Sequence, residues 1–270
     1  MNFHPQDGLR PVRNAEIHPT AIVHPDARLG HDVKIGPYSI IGPNVSIGPE
    51  CQIGSSVLIE GRTTIGRNNR IFHGAVIGSE PQDLKYAGET SFVEIGDNNV
   101  IREYVTIHLA TDEGQSTSIG SDCLLMAYVH VAHNCVVHDH VILANAVNLA
   151  GHVDVGNWSI IGGMTPVHQF VCIGQHAFVG GGSRLAQDVP PFIRVAGNPV
   201  EVAGINSVGL KRRGFDDTEL MNLKKAYRLL YRTGMNVSQA MERIAIDCAL
   251  DQHVEELMAF IRRSERGIVR

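Results

Sequence analysis

The 270-residue sequence contains no apolar run long enough to span a bilayer. Its first sixteen residues, MNFHPQDGLRPVRNAE, lack the apolar stretch of a secretory signal, so residues 1–16 are expected to form a plain N-terminal tail. Basic charge is not in excess. A net charge of −5 argues against a nucleic-acid partner, which would need a basic patch. The five cysteines, Cys51, Cys123, Cys135, Cys172 and Cys248, are odd in number and form no CxxC. That excludes a simple disulfide framework and points to a reducing compartment, the cytoplasm. Aromatics are scarce at 6%, with Trp158 the single tryptophan, so the core must be aliphatic.

Aliphatic residues are plentiful, and they are placed by a rule. Stepping by six from Ile17 to Leu185 gives 29 positions, of which 26 are Ile, Leu or Val; the exceptions are Asp83, Glu89 and Glu113. A stripe recurring every 3.6 residues cannot produce this pattern. The next slot is often glycine, as at Gly30, Gly36, Gly42 and Gly48. The slot four after the aliphatic is small or β-branched, as at Ala27, Val33, Ser39, Val45 and Cys51. Each hexad therefore predicts a short strand and a turn, with the aliphatic inward. Three hexads close a triangular coil of about 18 residues, and coils stack at about 4.8 Å. Cys51, Cys123 and Cys135 fall in the small slot and are expected to be buried fillers without chemistry. The string GPYSIIGPNVSIGPE resembles the hexapeptide signature of left-handed β-helix proteins, and the hand comes from that resemblance, since the usual crossover rule gives the right hand.

Two stretches, Ser79–Phe92 and Leu109–Ser118, interrupt the aliphatics without breaking their phase. They are expected to be loops on one continuous solenoid, and such loops often carry function. The repeat should stop at DVPPFIRVAGNPV, where Pro190, Pro191 and Pro199 cannot continue a ladder. Helical spacing then begins behind the caps Asp216-Asp217-Thr218, with Gly234 as terminator and further helices near 237–247 and 252–264. The expected fold is mainly β: a β-helix domain over 17–200 and a small C-terminal helical domain over 201–270.

Fourteen histidines is a high count, and they cluster in MAYVHVAHNCVVHDH and after it. With an 18-residue coil, His133 lies under Gly151 and Gly151 under Gln169, with His152 and His168 beside them. A base, an open backbone N–H and polar donors on one edge suit acyl transfer. A histidine in a solenoid turn is also commonly a mere surface or interface residue. The HxxxxH spacing of His133 and His138 leaves open a zinc enzyme of the carbonic anhydrase type, which would need three converging ligands, supplied in part by a neighbouring subunit. A non-catalytic scaffold is the plainest alternative.

The strings QDLKYAGE (82–89), IREYVTIH (101–108), LLMAYVHVAHNC (124–135), ILANAVNLAGHV (142–153), IIGGMTPVHQF (160–170) and LKRRGF (210–215) together resemble the UDP-N-acetylglucosamine acyltransferase family. The resemblance covers nearly all of 17–270. It implies transfer of an (R)-3-hydroxyacyl group from acyl carrier protein to the 3-hydroxyl of UDP-N-acetylglucosamine, the first step of lipid A biosynthesis. It also implies a cytoplasmic homotrimer with sites between subunits and no cofactor or metal. It assigns His133 as general base and Gly151 N–H as oxyanion donor. Asp83, Lys85, His152, His168, Gln169, Asn206 and Arg212 would hold the nucleotide sugar, His130 would line the acyl groove, and Gly181 would set acyl length. Lys211, Arg212 and Arg213 suit the acidic carrier protein, or simply form a solvated basic patch. Three positions depart from the family: Asn134 stands where aspartate is usual, His108-Leu109-Ala110 replaces an IHRG string, and Val208 replaces a glutamate. N-acyl transfer to a 3-amino nucleotide sugar is therefore a second reading.

Overall fold

The computed structural model describes residues 14–270; most of the expected N-terminal tail, residues 1–13, lies outside the described residues. Strands of mostly two residues recur from Glu16–Ile17 to Phe178–Val179 and form three parallel sheets. The architecture is the left-handed parallel β-helix, a triangular prism with one sheet per side. Each strand pairs the aliphatic of one coil with that of the next: Ile35 with Ile53, Leu125 with Leu143, Leu143 with Ile161. These side chains are buried and fill the prism. Each contributes about 2 kcal/mol on burial.

The small slot does more than fill space. Ser39 Oγ donates to the Gly54 carbonyl at 2.8 Å, Cys135 Sγ to Ala150 at 3.1 Å and Ser159 Oγ to Gly174 at 2.8 Å, each fifteen residues on. Cys51 and Cys123 donate in the same way, so the three slot cysteines are buried donors to turn carbonyls. Most turns also hold one residue in the left-handed region, among them Tyr128, Asn134, His152 and Phe170. Positive φ in so many non-glycine residues is unusual, and here it is the geometry of the corner itself.

The loops keep the phase for a measurable reason. Ile53 pairs with Ile71 at the normal 18-residue offset, Ile71 pairs with Ile101 thirty residues on, and Ile101 with Leu125 twenty-four on. The two insertions are thus whole hexads, which leave every later aliphatic facing inward. Both loops bulge at the same corner and are tied together: Gly114 N–H donates to the Thr90 carbonyl at 2.7 Å.

The ladder runs further than the prolines suggest. Ile193–Ala196 pairs in parallel with Phe178–Val179, and Glu201–Ile205 then pairs antiparallel with it. Pro190 and Pro191 precede this strand, and Pro199 lies in the hairpin turn, so none is asked to donate within the ladder. The expected boundary at 200 therefore falls within this hairpin. Four helices follow: α1 (Ser207–Arg212), α2 (Asp217–Tyr231), α3 (Val237–Asp247) and α4 (Gln252–Arg263). Asp216 caps α2 in a capping box with Glu219. Helix α2 ends at Tyr231, before Gly234. Buried Asp188 fastens the C-terminal segment to the last coil, accepting from Ser264 Oγ at 2.6 Å and from Cys172 N–H at 2.8 Å.

Candidate active site

His133 follows the strand His130–Val131 at the corner between the second and third sheets. Val131 pairs with Leu149 and Leu149 with Val167, so His133, Gly151 and Gln169 fall one above another on that corner. The contact between the first two is close. A Cβ on Gly151 would lie 2.4 Å from His133 Cε1 and 2.5 Å from Nε2. Gly151 leaves its peptide open to the ring, as only glycine can here. The equivalent turn N–H groups at another corner are capped by a side chain one coil on: Ser121 N–H by Asp139 at 2.7 Å, and Asp139 N–H by Asn157 at 2.9 Å. Gly151 N–H has no acceptor among the described residues.

The loops reach this corner from below. Asp83 Oδ2 stands 3.6 Å from His133 Nε2, and its other oxygen accepts Lys85 N–H at 2.9 Å, which fixes the carboxylate. The Lys85 side chain is exposed beside it. On the other side of the ring, His133 Nδ1 lies 3.0 Å from Asn134 Oδ1. Asn134 is buried, and the second loop surrounds it with Thr111, Asp112 and Gln115.

His152 packs edge-on against His133 with ring centroids 5.2 Å apart, and it stacks on Phe170 at 4.6 Å. Burial, and then the neighbouring His133, hold its pKa below the usual histidine value. His130 points outward from the second sheet with Nδ1 2.7 Å from Thr106 Oγ1. Burial, followed by the nearby His108 and His133, pushes its pKa down to about 4, so it is a neutral ring at neutral pH. His168 and Gln169 are exposed at the top of the column.

Other expected residues lie elsewhere on the prism. Gly181 sits at the corner between the first and second sheets. Asn206 is buried beside the third corner, where it caps α1 and donates from Nδ2 to the His176 carbonyl at 3.0 Å. Both ends of its side chain are engaged within the chain. Arg212 is exposed at the end of α1, and Arg213 lies 5.2 Å above the Trp158 ring. One chain does not bring these residues to His133. Leu109 is buried, with its methyls close to Gly61, so apolar packing occupies that departure from the family string. Val208 is exposed. His138 pairs with Asp154 at 3.4 Å, apart from His133, and among the described residues no three His, Cys, Asp or Glu side chains converge as a metal site. A groove of about 670 Å³ lined by Lys34, Gln52, Arg70, Phe72 and His73 runs along the N-terminal coils, away from this corner.

Thr111, Asp112 and Gln115 were not foreseeable from the repeat. Their signal was positional only: they sit in an insertion of whole hexads.

Residues 188–269 match a family described as UDP N-acetylglucosamine O-acyltransferase, domain 2, and residues 116–147 match the bacterial transferase hexapeptide family. A Gloeothece citriformis protein is 57% identical over 98% of this chain and 94% of its own length. One from Synechocystis is 58% identical over 92% of this chain and 90% of its own. Both are named acyl-carrier-protein–UDP-N-acetylglucosamine O-acyltransferase. The solved UDP-N-acetylglucosamine O-acyltransferase of Moraxella catarrhalis superposes with a TM-score of 0.90 at 44% identity, over 94% of this chain and 99% of that one. The Bacteroides fragilis acyltransferase gives 0.91 at 41% over the same shares. With identity this high over nearly the whole length, the chain belongs to the acyl-carrier-protein–UDP-N-acetylglucosamine O-acyltransferase family.

Proposed function

We propose that this protein transfers an (R)-3-hydroxyacyl group from acyl carrier protein to the 3-hydroxyl of UDP-N-acetylglucosamine, the first step of lipid A biosynthesis. Family membership supports the substrates. The observation that carries the mechanism is the bare Gly151 peptide against the His133 ring. His133 Nε2 takes the proton of the 3-hydroxyl as the oxygen attacks the thioester carbon. The Asp83 carboxylate, 3.6 Å away, favours the positive charge the ring then acquires. The tetrahedral oxyanion accepts from Gly151 N–H. Its collapse breaks the C–S bond, and the carrier thiolate takes the proton back from the imidazolium. Lys85, His152, His168 and Gln169 surround this point as candidates for the nucleotide sugar, and neutral His130 suits an apolar acyl groove.

The same geometry supports a homotrimer. Gly181, His133 and Asn206 lie by three different corners of the prism. A site that uses all of them, with Arg212, takes a corner from a neighbouring copy. The five free cysteines fit a reducing cytoplasm, and no helix is long and apolar enough to cross a membrane among the described residues.

The test is a product assay with purified protein, a panel of acyl carrier protein thioesters, and both UDP-N-acetylglucosamine and its 3-amino analogue. His133→Ala should cost about 10²- to 10⁴-fold in rate. Near wild-type turnover by that variant removes His133 as the base, and preference for the amine reassigns the acceptor.

A further inference from the structure

His133 is oriented by an amide, and chemistry decides which end of that amide faces the ring. One end of Asn134 meets Thr111 N–H at 3.0 Å and the Thr111 hydroxyl at 2.9 Å. A backbone N–H only donates, so this end is the oxygen. The other end meets Asp112 Oδ2 at 3.2 Å and Gln115 Oε1 at 2.7 Å. An ionised carboxylate only accepts, so this end is the NH₂. Nδ1 of His133, 3.0 Å from the Asn134 oxygen, therefore carries the ring proton. The lone pair is left on Nε2, the atom that faces the substrate side.

We infer that Asp112 is a positioning residue for the acyl transfer, acting through Asn134 to hold His133 in the tautomer that accepts a proton. Thr111 N–H holds the oxygen end and Asp112 the nitrogen end, so without the carboxylate only the Thr111 donors oppose the turned amide, which would offer its NH₂ to Nδ1. The ring would then keep its proton on Nε2, where it is useless as a base. Gln115 cannot do this alone, because its own amide can turn with Asn134. The carboxylate that sets the base thus sits one side chain out, on the second loop. This inference rests on His133 being the base.

The polarity of the chain His133–Asn134–Asp112 makes a test by exchange. Asp112→Asn alone replaces the fixed acceptor with an amide that can turn together with Asn134, as Gln115 can. We expect kcat to fall about tenfold with KM for the nucleotide sugar little changed. Adding Asn134→Asp completes the exchange: a carboxylate only accepts, so Nδ1 keeps the ring proton, with Thr111 still donating to that carboxylate. The double variant should recover to within about threefold of wild type. Recovery by a second substitution is something a merely structural role would not give.

Losses that simply add, or Asp112→Asn alone at the wild-type rate, overturn the inference. His133→Ala runs alongside. If it stays active, the base assignment has failed; if it is inactive while the exchange shows no coupling, only the role of Asp112 falls. Should Asn134→Asp fail to fold, exposed Asp112→Lys decides. An ammonium only donates, so it should turn the amide and lower kcat about tenfold at an unchanged melting temperature. A wild-type kcat in that variant overturns the proposal.

Discussion

A single methyl group at Gly151 tests the proposed centre most directly. The backbone there is outside the left-handed region, so alanine meets no conformational penalty. The obstacle is the His133 ring alone. A Cβ would sit 2.4 Å from Cε1 and 2.5 Å from Nε2, whereas ordinary contact begins at 3.4 Å. The ring must therefore retreat by about 1 Å. The shift carries Nε2 away from the position set by Asn134 and narrows the space above the Gly151 N–H. A misplacement of about 1 Å at a reacting group costs about 10²-fold in rate. In barrier terms that is about 2.7 kcal/mol. We expect Gly151→Ala to lose about this much kcat in the carrier-protein assay. KM for UDP-N-acetylglucosamine should move much less, because the methyl displaces the base, and thermal melting should stay close to wild type. Wild-type kcat in a folded Gly151→Ala protein would refute the assignment of His133 and Gly151 as one reacting unit.

Other consequences are equally open to measurement. If sites are shared between copies, refolding a mixture of inactive His133→Ala and Arg212→Ala chains should restore activity through mixed trimers, and mixtures as inactive as their parents would argue for sites within one chain. Burial, followed by the neighbouring Arg213 and His253, pushes the His176 pKa down to about 4, whereas the unfolded chain takes that proton near pH 6.5. Between those values the unfolded state binds more protons, so stability should fall as pH drops from about 6.5 toward 4. His176→Phe should flatten that fall in denaturant melts, and an unaltered slope would show that His176 does not cause it. Leu143→Ala, at a fully buried ladder position, should cost about 2–5 kcal/mol in urea unfolding, and a loss well below 1 kcal/mol would mean the coils collapse around the gap.

The repeat was legible because its rule is local. An inward aliphatic every six residues fixes the coil, and the coil alone stacks His133, Gly151 and Gln169 on one corner. The parts that escaped are those where the rule is silent. Helix α1 has six residues, too few to show a helical period, and its one signal was the Asn206 cap. The strand Ile193–Ala196 was hidden by prolines that turn out to precede it. The partners of Asn134 lie 19 to 23 residues away in a loop with no period, and their geometry is a matter of side-chain polarity. Sequence similarity flags Asn134 as a weakness, since an amide carries no charge to set a base. The structure turns that weakness into a polarity problem. An amide holds an imidazole in one tautomer only when its own orientation is fixed from outside. The insertion after His108 supplies that constraint: Thr111 binds the oxygen end, and Asp112 binds the nitrogen end. A loop that looked like an interruption of the solenoid is therefore the element that gives His133 its orientation, and its length in whole hexads lets it do so without moving the column above.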